Sequence, residues 1–64
     1  MKVYIVTEID EMEEHIQGVF YKYEDAAACA NDLAEYGEMK QDDEWNWSHE
    51  GGFPCVIIED WEVE

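Results

Sequence analysis

The chain of 64 residues contains no arginine and only three lysines, Lys2, Lys22 and Lys40, against eighteen acidic residues. So few cations cannot neutralise phosphates, which argues against direct contact with nucleic acid or anionic membranes. No C-x-x-C pair occurs, since Cys29 and Cys55 stand far apart. Their spacing suits small buried hydrophobes better than a disulfide framework. With His15 and His49 they make four zinc-type ligands, but in no compact zinc spacing. Long apolar runs are missing too. None approaches the roughly 18 residues of a membrane span, and the opening "VYIV" is too short for a secretory signal. The cytosol is therefore the expected compartment. There is no phosphate loop, Ser-His-Asp pattern or metalloprotease motif. Neither an enzyme activity nor a cofactor is expected.

What is present is charge of one sign, with aromatics. The formal net charge is −15, whereas a small domain stays soluble with a magnitude of about 2–8. Solubility alone does not require so much. Apolar residues make up 47% of the chain and aromatics 14%, the composition of a globular domain rather than a solvated acidic tail. At this length the chain is one domain with a thin core, for which a partner subunit is a natural support.

"KVYIVTEI" (2–9) and "HIQGVFYK" (15–22) are rich in β-branched and aromatic residues and predict two strands joined by an acidic turn. Gly18 within the second marks a bulge or a close backbone approach. "YEDAAACANDLAEYG" predicts a helix. Alanines favour it, and Ala26, Cys29, Ala30 and Leu33 recur on one face. Glu24 and Asp25 suit its positive end, and Gly37 suits its C-cap. A short strand over 44–49 and a last one over 55–63 complete a small α+β fold. It is an antiparallel sheet, ββαββ or else ββαβ, with one helix on one face. The last strand is apolar on both faces: Cys55, Ile57, Trp61 and Val63 point one way, Val56 and Ile58 the other. The first strand repeats this, with Val3 and Ile5 opposite Tyr4 and Val6. One helix covers one face, so the other is exposed, buried in a homodimer or used to grip a partner.

The succession "VYIV", "GVF", alanine-rich helix and "IEDWEVE" resembles small phage and bacterial β-hairpin–helix–β domains of unknown function. The resemblance implies a fold and no activity. Such domains often carry a Ser or Thr cap after "GVF"; here Tyr21 follows Phe20. In size and charge the chain is also similar to phage-encoded acidic inhibitors that imitate DNA, of the anti-CRISPR and anti-restriction kind.

Topology turns that likeness into an expectation. In a ββαββ order, three acidic stretches converge on one edge. They are Asp10, Glu11, Glu13 and Glu14 in the first turn; Glu35, Glu38, Asp42, Asp43 and Glu44 after the helix; and Asp60, Glu62 and Glu64 at the end of the last strand. Spread over the roughly 4,300 Å² of such a chain, the charges would stand about 15 Å apart, beyond the Debye length of about 8 Å. Gathered together, they would approach the charge density of a duplex backbone. The expected partner is then a basic nucleic-acid-binding protein whose groove the carboxylates occupy, with Trp45 and Trp47 as apolar anchors. Against this stand two plainer expectations. The tryptophans complete the core, and a bare sheet face holding Tyr4, Val6, Val56 and Ile58 binds a partner or a second copy. Calcium is held weakly at most, because neither "DEMEE" nor "DDE" has the EF-hand alternation.

Overall fold

The structure, a computed structural model, describes residues 1–63. Its elements are β1 (Lys2–Ile9), β2 (Glu14–Phe20), α1 (Tyr23–Tyr36), β3 (Lys40–Asp43), β4 (Asn46–Ser48) and β5 (Cys55–Glu62). They form the expected α+β fold, a single antiparallel sheet with one helix packed against it. One detail is corrected. Where a single strand was expected over 44–49, the chain forms a hairpin, β3 and β4. Asp43 turns it back, its carboxylate accepting from the Trp45 amide at 2.8 Å and from the Asn46 side chain at 2.8 and 3.1 Å. That is the usual work of an aspartate in a turn.

The strand order is β2-β1-β5-β4-β3, and every neighbouring pair is antiparallel. The extra strand has a large consequence. If β1 rises, β2 and β3 fall, β4 rises and β5 falls. The last strand therefore runs opposite to the direction expected, and its C-terminal end returns to the start of β1. Lys2 pairs with Glu62 and Ile9 with Cys55.

Under the helix the core is small and dense. Ala26, Ala30 and Ala34 form the buried stripe of α1, one residue per turn. Their short side chains let the helix settle onto Val6, Val56, Ile58 and Trp47, with Tyr4, Phe20, Cys29 and Leu33 around the rim. The Trp47 indole is only 2% exposed, and its N–H donates to the Asn31 side-chain oxygen at 3.1 Å. Gly18 serves both purposes expected of it. The β1–β2 register slips beside it, and a Cβ there would lie 2.7 Å from the Phe20 ring.

The helix ends are imperfect. Among the described residues no side chain caps the N-terminus at Lys22, and no basic residue occupies the last turn. At the other end the Met39 amide donates to the Ala34 carbonyl at 2.7 Å, and the Glu38 amide to the Glu35 carbonyl at 3.4 Å. This is a Schellman closure. Its left-handed residue is not glycine but Glu38, at φ 57°. Among the described residues no helix is long and apolar enough to cross a membrane.

Candidate docking face

The acidic residues fall into separate groups rather than on one edge. Asp10, Glu11, Glu13 and Glu14 sit at the upper end of β1 and β2. Asp60 and Glu62 sit at the lower end of β5, beside Tyr4 and Lys2. Seven residue rises along β1 separate the two ends, roughly 24 Å. Glu35 and Glu38 are at the upper end, but there the chain enters β3, three strands from β1. At about 4.8 Å per strand that is roughly 14 Å away. All of these separations exceed the Debye length of about 8 Å. Asp43 and Glu44, on the β3–β4 turn, fall toward the lower half of β5 with Asp60 and Glu62. The single acidic rim is therefore corrected to separate groups at opposite ends of the sheet, because the β3–β4 hairpin reverses β5. Glu64 lies outside the described residues.

Several of these carboxylates are occupied locally. Asp10 accepts from the Glu11 amide at 2.9 Å, and Glu13 meets the His15 ring at 2.8 Å. Asp42 accepts from the Ser48 hydroxyl at 2.6 Å, and Asp43 holds its own turn. The bonds from Trp45 and then Asn46 pull the Asp43 carboxyl below its ordinary range. Asp60 lies 3.4 Å from the Lys2 ammonium, and Glu62 lies 3.1 Å from the terminal amine. The tryptophans are corrected as well. Trp47 is core and cannot anchor a partner. Trp45 is half-buried, stacked at 6.3 Å on Tyr4 and edge-on at 5.2 Å to Tyr23.

The faces are also exchanged relative to expectation. Tyr4, Val6, Val56 and Ile58 lie beneath the helix. Strand alternation then puts Val3, Ile5, Thr7 and Ile9 of β1 on the open face. Register adds Ile16 and Val19 from β2, and Cys55, Ile57, Glu59 and Trp61 from β5. Ile16, Val19 and Trp61 are 68%, 57% and 55% exposed. Ile5, Thr7, Glu14, Ile16, Glu59 and Trp61 line a shallow depression of about 340 Å³ on this face.

No protein-family model, curated protein or solved structure matches this chain. The surface must be judged on its own chemistry. An apolar band of isoleucine, valine and tryptophan, exposed on β2 and β5 and half-buried on β1 between them, costs solubility unless something covers it. Two carboxylates stand within it, and Lys40 is the only cation among the described residues that strand register puts on the same face, at the far β3 edge. Both thiols are free. Burial, then Asp32, raises Cys29, and burial, then Asp42, raises Cys55. Neither thiol is therefore primed as a nucleophile.

Proposed function

We propose that the chain is a small binding module whose open sheet face docks a basic protein. The supporting observation is the apolar band in which Ile16, Val19 and Trp61 stand exposed beside half-buried Ile5 and Ile57, with Glu14 and Glu59 set into it. The overall extents are 37 × 22 × 16 Å, a thin slab with one broad side. Such a side is of the size of a standard interface, roughly 800 Å² per partner.

Charge selects the partner. Two copies docked face to face would bring net charges of −15 together. At roughly 20 Å between centres and physiological salt, screened repulsion is on the order of a few kcal/mol. With a cationic partner the same term changes sign and also speeds encounter. Proteins with basic nucleic-acid-binding grooves carry the best-matched surfaces, so occupation of such a groove is one form this binding can take. The single acidic rim that would have made it mimicry of a phosphate backbone is not there, and the apolar face takes its place.

Two probes test this: an amphipathic helical peptide of leucine and lysine, and polylysine of equal charge. The amphipathic peptide should bind and keep much of its affinity between about 50 and 200 mM salt, whereas polylysine should lose most of its own. Ile16→Asp should weaken the first and spare the second. Neutralising Asp10, Glu11, Glu13 and Glu14 to Asn or Gln should leave apolar docking in place. Equal salt sensitivity of both probes would refute the face as the site. Sedimentation showing a stable dimer would assign the face to a second copy instead.

A further inference from the structure

We infer that the lower half of β5 is a strand-addition site for an extended, lysine- or arginine-bearing segment of another protein. This inference rests on the main-chain groups of the sheet edge, and its site shares Glu59 and Trp61 with the open face.

β4 pairs with β5 only from Cys55 to Ile57. One further bond follows, from the Ile58 amide to the Trp45 carbonyl at 2.8 Å, and there the hairpin turns away. Main-chain groups of an antiparallel strand alternate between its two sides. Ile58 bonds on the β4 side, so the N–H and C=O groups of Asp60 and Glu62 point to that side as well. Among the described residues no strand lies beside them. Yet β5 is held firmly in this region, because its register with β1 runs unbroken to Lys2↔Glu62. The result is an ordered, bulge-free half-edge with main-chain donors and acceptors two residues apart, about 6.8 Å.

The other sheet edges are blunted. β2 carries the bulge near Gly18, and β3 has only four residues; twisting and shortening are common protections against strand addition. The β5 half-edge is as short, but it carries no bulge and is the continuation of an eight-residue strand held in register by β1. Beside it lies a notch of about 410 Å³ lined by Trp45, Ile58, Glu59, Asp60 and Trp61. An added strand would place alternate side chains against the two indoles on opposite faces of the sheet.

Carboxylates decide what enters. Glu59 on one face and Asp60 on the other flank the notch, and Asp43 and Glu44 stand on the turn above. Lys2 and the amino terminus meet Asp60 and Glu62, but Glu59 makes no ion pair among the described residues. A second copy adding its own β5 would set like charges side by side, which disfavours pairing. A cationic segment would meet opposite charges at the same places. This is the strand-addition mode of peptide recognition, with main-chain bonds giving affinity and flanking groups giving selectivity.

The test uses the full chain and a short peptide of alternating lysine and valine. A second peptide carries the same sequence with alternate amides N-methylated on one edge, keeping charge and removing donors. The first should bind and slow hydrogen exchange at the Asp60 and Glu62 amides. The methylated form should bind at least about tenfold more weakly, the equivalent of one or two lost hydrogen bonds. Equal binding of the two would show attraction by charge alone and overturn the inference. So would absence of binding, protection appearing along β2 or β3 instead, or amides already protected by self-association in the free protein.

Discussion

The Tyr23 hydroxyl donates to the Glu44 main-chain carbonyl at 2.6 Å, joining the first residue of α1 to the turn between β3 and β4. The same ring meets Trp45 at 5.2 Å and Tyr4 at 6.0 Å, both edge-on. Three aromatic side chains thus connect β1, the helix and the hairpin. Two strands of four and three residues have no independent stability. The hairpin is held by this cluster below and by buried Trp47 within.

Tyr23→Phe keeps the ring and removes the bond, so urea unfolding should show a loss of about 1 kcal/mol. Alkali gives a second signature. Burial, then the carboxylates of Glu44, Asp43 and Glu24, raises the Tyr23 phenol above its ordinary value. The folded chain therefore holds the proton longer than the unfolded one. The associated stability is complete below the unfolded value of about 10 and is lost as pH rises through the folded value. Tm should fall above about pH 10, and less steeply in the Phe variant. Identical alkaline slopes would clear Tyr23 of the effect.

Gly18→Ala should be costly despite the size of the change. The new methyl would meet ring carbons of Phe20 at 2.7 and 2.8 Å. Phe20 would have to leave its place over the bulge, and overpacking of this kind costs about 1–3 kcal/mol. A combined Gly18→Ala, Phe20→Leu variant should recover part of the loss. No loss in the single variant would mean the ring moves freely.

Much of this architecture was legible from residue pattern. The two opening strands, the helix and its alanine stripe, and the glycine bulge all follow from local chemistry, which acts within a few residues. The division of β1 and β5 into two apolar faces was legible for the same reason. Which face the helix covers was not. Both faces of those strands are apolar, and the choice depends on strand order, through the crossover that carries the chain from β2 to β3 at the opposite edge. Strand order depended in turn on Asp43 making a turn in a stretch of polar residues that reads equally well as loop. That one turn reverses β5 and divides the acidic groups between the two ends of the sheet. Trp61 was legible as an apolar group on a strand, but only knowledge of the covered face marks it as part of the open one.

Glu38→Gly should stabilise the domain. A side chain in the left-handed region costs about 1–2 kcal/mol, and glycine gives back part of this through unfolded-state entropy. Removing a carboxylate from the negative end of the helix adds a few tenths. The net expectation is about 0.5–1 kcal/mol, several degrees in Tm for a chain of this size. Glu38→Asn, which tolerates the conformation and also removes the charge, should lie between. Because Glu38 does not line the open-face depression, docking there should not change. A less stable glycine variant would show that Glu38 makes compensating contacts.

Asp43 carries an acid-sensitive link between the fold and the β5 notch. Its carboxyl is depressed by the bond from the Trp45 amide and then by Asn46. A depressed folded value contributes stability above the unfolded value of about 3.9, and that stability is lost as pH falls through the folded value. Protonation of the many other carboxylates relieves repulsion over the same range, so the wild-type curve alone does not isolate the turn. The difference between wild type and Asp43→Asn does. It should be largest near neutrality and close as pH falls below about 4. Trp45 forms one wall of the notch and takes its position from this turn. Binding of the lysine–valine peptide should therefore weaken in the Asn variant at neutral pH, while the Asp60 and Glu62 amides keep their exchange rates in the free protein. A constant difference in stability across the acid range would show that the Asp43 charge does not hold the turn.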